Sequence, residues 1–100
     1  MKVETQSIHF KADQKLVDYI QRKLDKLETF YDGIIDAQVY LKVENTSSKE
    51  NKTAEFKVNV QHNALIKSQT ATTFEAATDL AVEALKKQLK RYKGRMAQSA

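Results

Sequence analysis

The chain has no cysteine, no proline and no tryptophan, and only two glycines. Without cysteine there is no disulfide, no thiolate-ligated zinc and no thiol nucleophile. The two glycines, Gly33 and Gly94, stand far apart, so no glycine-rich loop exists to cradle a phosphate. No apolar run approaches the ~20 residues of a membrane-spanning helix, and the opening MKVETQSIHF has no signal-peptide apolar core. These absences point to a cytoplasmic protein with no membrane partner. The two histidines, His9 and His62, fall in different elements and in no metal-ligand spacing. Asp32 and Asp36 flank a turn and resemble a carboxylate pair, yet nothing nearby forms a matched acid and base. Ser47, Ser48 and Ser68 lack a base partner or nucleophile elbow. No metal, cofactor, small-molecule substrate or enzymatic activity is expected.

What is present is a globular composition, 41% hydrophobic against 30% charged over 100 residues, which is enough for one core and one domain spanning 1–100. The net charge of +4 favours a polyanionic partner. A first strand is read from Lys2 to Phe10; Val3 and Ile8 differ in parity, so a bulge or bend is expected between them. Asp13 is a good N-cap for a helix running to about Phe30. Along that helix Leu16, Ile20, Leu24, Leu27 and Tyr31 step by four, four, three and four on one face. Gly33 sits where a C-terminal cap is expected. Three strands follow. Ala37, Val39, Leu41 and Val43 alternate inward in the first of these, and Ala54, Phe56, Val58 and Val60 in the next. The intervening NTSSKEN contains no apolar residue and reads as a loop. After a turn at His62-Asn63, the stretch from Leu65 to Ala71 is a weaker strand. Its inward face is ambiguous, because Leu65 shares parity with Lys67 and Gln69. The element order is β-α-β-β-β-α, an α+β two-layer sandwich with both helices on one face of a four-stranded sheet.

The last helix carries the clearest pattern. From Thr73 to Met96, the positions Phe74, Ala77, Ala81, Leu85, Leu89, Tyr92 and Met96 form one apolar stripe. Its acids, Glu75, Asp79 and Glu83, all precede its cations, Lys86, Lys87, Lys90, Arg91, Lys93 and Arg95. The order suits the helix macrodipole and is compatible with a solvated face. Six cations in ten residues nevertheless repel one another unless an anionic partner neutralises them. On the first helix Lys15, Tyr19, Arg22 and Lys26 form a second basic stripe, with Lys23 beside it. Placed side by side, the two rails make a groove suited to a phosphate backbone, and structured RNA read by shape fits such a surface. Tyr19 and Tyr40 are either stacking residues or, in the simpler reading, a shield for the helix interface and a cover for the open sheet face.

The run KLVDYIQRKLDKLETFYDGIIDAQVYLKVEN and the ending FEAATDLAVEALKKQLKRYKGRM resemble the ribosome hibernation promoting factor family, also called the ribosome-associated inhibitor or YfiA-like family. The shared features are the KLDKLE segment closing the first helix, the LKVE strand, the Phe-Glu-Ala-Ala-Thr-Asp start of the last helix and its QL-plus-basic ending. Two departures are visible. The family's Asp-Met-Tyr-Ala-Ala opening is Thr73-Phe74-Glu75-Ala76-Ala77 here, and small residues of the fourth strand are replaced by Lys67 and Gln69. The resemblance implies a cytoplasmic short-form protein, monomeric off the ribosome. It would occupy the mRNA and tRNA channel of the small ribosomal subunit in starvation or stationary phase and inhibit translation. By position, the rRNA-contacting residues would be Arg22, Lys23, Lys26, Lys86, Lys87, Lys90, Arg91 and Lys93. The alternatives are a general structured-RNA-binding module and a protein-only regulator of the sigma-54 modulation type.

Overall fold

The structure, a computed structural model, describes residues 1–99, and side chains as far as residue 94. The elements are β1 (Lys2–Ser7), α1 (Gln14–Leu27), β2 (Ile34–Val43), β3 (Lys52–Val60), β4 (Asn63–Ala71) and α2 (Phe74–Ser99). The strands form one sheet in the order β1-β2-β3-β4. β1 pairs parallel to β2 through the α1 crossover, and the other two pairings are antiparallel. This is the α+β arrangement expected from the residue pattern.

The core follows from two periodicities meeting. Leu16, Ile20, Leu24 and Leu27 of α1 are buried, as are Phe74, Ala77, Ala81, Leu85 and Leu89 of α2. They join the inward residues of the strands, Ala37, Val39 and Leu41 with Ala54, Phe56, Val58 and Val60, in one cluster. Both helices therefore cover the same sheet face. Each large side chain buried here contributes on the order of 1.5–3 kcal/mol. Asp13 caps α1 as its position predicts, its carboxylate accepting from the Leu16 amide at 2.8 Å. Thr73 does the same for α2, its Oγ1 accepting from the Ala76 amide at 3.0 Å. Met96 of the expected stripe and Arg95 of the basic run lie outside the described side chains.

Several boundaries differ from expectation. β1 ends at Ser7, three residues before Phe10. The Ser7 hydroxyl donates to the Phe10 carbonyl at 2.5 Å and accepts from the Ala12 amide at 3.3 Å, and His9 adopts φ 65° between them. No bulge lies between Val3 and Ile8: the alternation runs unbroken and leaves Ile8 on the exposed face, and the turn after it brings Phe10 to stack on Phe74. The register shift lies instead between Ile34 and Asp36. α1 stops at Leu27 with Glu28 as its cap, and Gly33 is no cap, since no glycine has positive φ. Gly33 is small for another reason: a Cβ there would collide with the Tyr31 ring. Val43, paired with Lys52 at the end of β2, is exposed rather than inward. The two-residue turn is Gln61-His62, with His62 at φ 66°, and Asn63 already pairs with Val60. In β4 the ambiguity resolves through register. Lys67 stands opposite Phe56 and Gln69 opposite Ala54, so Leu65, Lys67, Gln69 and Ala71 share the helix-covered face.

Candidate functional site

Contacts between the helices advance together along both. Phe10, just before α1, stacks on Phe74 at 5.2 Å between ring centroids. Tyr19 donates its hydroxyl to Asp79 at 2.6 Å. Phe30, just after α1, faces Lys86 and Lys90, and Tyr31 meets Tyr92 edge-on at 5.8 Å. The helices therefore run parallel, and the acid-to-base order of α2 becomes a gradient along the groove between them.

The acidic end is closed. Asp79 accepts from Tyr19 and pairs with the Lys23 ammonium at 3.2 Å. Hydrogen bonding to Asp79, more than its charge, raises the pKa of the Tyr19 hydroxyl, with burial adding to the shift. The Lys23 ammonium's own hydrogen bond to Asp79, followed by the Asp79 charge, raises that of Lys23. Arg22 and Lys23 also lie 5.9 and 5.5 Å from the Tyr19 ring centroid. Tyr19 is thus part of the helix interface, the simpler of its two readings.

The basic end is open. A cleft of about 290 Å³ is lined by Lys23, Lys26, Phe30, Glu83 and Lys86, among others. A second, of about 320 Å³, is lined by residues including Glu28, Phe30, Tyr31 and Lys93. The Lys86 ammonium sits 4.4 Å from the Phe30 ring centroid and that of Lys90 5.9 Å. Of the eight residues expected from sequence, the groove brings together Lys23, Lys26, Lys86, Lys90 and Lys93. Arg22 is exposed on the shoulder of α1 beside Tyr19. Lys87 and Arg91 are exposed one helical turn apart and lie outside both clefts. Among the described residues, only Lys23 of the eight has an ion-pair partner. The last turn of α2 carries no cation, so its macrodipole is not what collects the lysines at 86, 90 and 93.

Three contributors were missed in the sequence: Asp79 as a partner for Lys23, Glu83 as a cleft-lining acid, and Phe30 as the ring beneath two lysines. Phe30 did carry a signal, being an aromatic off the Leu16-Ile20-Leu24-Leu27-Tyr31 stripe, four residues after Lys26. Asp25 and Glu28, on another face of α1, bind the N-terminal ammonium, whose pKa is raised chiefly by the Glu28 hydrogen bond. Asp25 is thereby engaged away from the groove, whereas Glu28 reaches the ammonium from the rim of the second cleft. Among the described residues no group of three or more His, Asp or Glu side chains is placed to hold a metal ion, and no helix is long and apolar enough to cross a membrane.

The family described as sigma 54 modulation protein / S30EA ribosomal protein matches residues 3–97. The chain is 31% identical over 93 residues to the ribosome hibernation promoting factor of Pseudomonas putida, covering 93% of this chain and 87% of that protein. The N-terminal domain of Thermus thermophilus Protein Y superposes with a TM-score of 0.81 at 25% identity, over 92% of this chain and 99% of that one. A ribosomal subunit interface protein from Coxiella burnetii shares the fold, with a TM-score of 0.83 at 17% identity over 94% and 99% of the two chains.

Proposed function

Because this chain belongs to the sigma 54 modulation protein / S30EA ribosomal protein family, we propose that it is a cytoplasmic ribosome hibernation factor. It lays the α1–α2 face on small-subunit rRNA in the mRNA and tRNA channel and inhibits translation in starvation or stationary phase. The name of its Pseudomonas putida relative supports the hibernation role. One observation carries the binding surface: Lys26, Lys86, Lys90 and Lys93 converge from two parallel helices without ion-pair partners among the described residues. Such a surface meets backbone phosphates as point charges and reads shape rather than sequence. Arg22, Lys87 and Arg91 extend the contact on either side, and Lys23 joins once Asp79 releases it. Inhibition then needs no chemistry, because a folded monomer filling the channel excludes mRNA and tRNA.

The test is sedimentation of stationary-phase lysate through a sucrose gradient, with the protein detected in each fraction. Co-migration with small subunits and whole ribosomes is expected, together with inhibition of cell-free translation by the purified protein. Recovery only at the top of the gradient would contradict the proposal.

A further inference from the structure

Lys86 and Lys90 lie one helical turn apart on α2, where like charges repel. Yet both ammonium groups turn to one ring, 4.4 and 5.9 Å from the Phe30 centroid. The backbone that carries the ring is fixed. The Phe30 amide donates to the Leu27 carbonyl at 3.0 Å, and the preceding Thr29 hydroxyl donates to the Lys26 carbonyl at 2.6 Å. Phe30 also lines both clefts, the one holding Lys26 and Lys86 and the one holding Lys93.

We infer that Phe30 is a positioning residue of the phosphate grip, gathering the lysines of α2 against the end of α1 without cancelling their charge. The contrast with Asp79 gives the physical reason. A carboxylate that holds a lysine also neutralises it, as at Lys23. An aromatic face attracts an ammonium through its quadrupole and leaves the full positive charge for a phosphate. The ring thus offsets the mutual repulsion of Lys86 and Lys90 and presents them, with Lys26, to one stretch of backbone.

This inference rests on the reading of the α1–α2 face as the rRNA grip, and its test separates the two. Phe30→Leu keeps an apolar side chain but removes the quadrupole, and it should weaken small-subunit binding about fivefold. Phe30→Trp should bind within about twofold of the parent. In a Lys86→Gln/Lys90→Gln background, Phe30→Leu should cause no further loss, which a role in stability or direct base stacking would not predict. In the ribosome-free protein, the side-chain Hε resonances of Lys86 should carry a ring-current shift that Phe30→Leu abolishes. An equal loss in the Gln background, or an unshifted Lys86, would overturn the inference while leaving the grip intact. Failure of the parent to bind small subunits would instead overturn the grip, with the Lys86 shift still deciding whether the ring gathers the lysines.

Discussion

The two ends of the interhelical groove use the same pair of helices in opposite ways. At one end Asp79 draws in Tyr19 and Lys23, joining the helices and satisfying the charge it meets. At the other, the Phe30 ring lies beside the Lys86 and Lys90 ammonium groups, and among the described residues no carboxylate pairs with either. The first arrangement serves the fold, and the second leaves charge for a partner. What separates them is only the order of residues along α2, acids before cations, made spatial by parallel packing. Substitutions at the two ends should therefore have different consequences.

The largest effect belongs to the floor beneath both ends. Phe56 is fully buried on the central strand β3. Phe56→Ala should cost about 3–5 kcal/mol in denaturant melts, whereas Phe10→Ala, outside β1 and only partly buried, should cost less. Equal small losses at the two positions would mean that the core is not centred on β3.

The next effect is confined to the open end. Replacing Lys86, Lys87 and Lys90 with Gln leaves Leu85, Leu89 and Tyr92 untouched, so the melting temperature should move by only a few degrees. Small-subunit affinity should fall about 100-fold, on the order of 1 kcal/mol per lost phosphate contact. A folded triple variant that still silences cell-free translation at parental concentration would detach function from this face.

The smallest effect belongs to the closed end and has the opposite sign for binding. Asp79→Asn should lower stability slightly while strengthening small-subunit binding about two- to fivefold, because a partly exposed pair of this kind holds Lys23 only weakly. Its pH dependence follows from two raised pKa values. Tyr19 and Lys23 ordinarily titrate at 10.0 and 10.5, and both are raised in the folded protein by Asp79. Their contribution is therefore fully present below those ordinary values and is lost as pH rises through the folded ones. The stability difference between parent and Asp79→Asn should be constant from neutral pH to about pH 9 and shrink in more alkaline solution. A difference that shrinks on acidification towards neutral pH would assign the effect to other groups.

Much of this architecture was legible from local periodicity. The leucine steps of α1, the Asp13 cap and the alternation through Ala37–Leu41 and Ala54–Val60 each depend on neighbours within a few residues. The ambiguous features depended on distant ones. Lys67 and Gln69 declare their face only through pairing with Phe56 and Ala54, and Gly33 is explained by the Tyr31 ring rather than by a cap. The site divides in the same way. Two basic stripes were visible on helical wheels, but parallel packing, which gives Lys23 to Asp79 and Lys86 to Phe30, is a long-range property. The sequence pattern therefore treated Lys23 and Lys86 alike, whereas the fold pairs one with Asp79 and gives the other no ion-pair partner among the described residues.

The central claim, that the basic end of the groove grips phosphate, is tested most directly by the salt dependence of small-subunit binding. With about five to seven phosphate contacts, log K against log salt should fall with a slope of about −4 to −6. The triple Gln variant should be shallower by about 2 to 3, one increment for each lost contact. A parental slope shallower than about −2, or the same slope in parent and variant, would contradict the account.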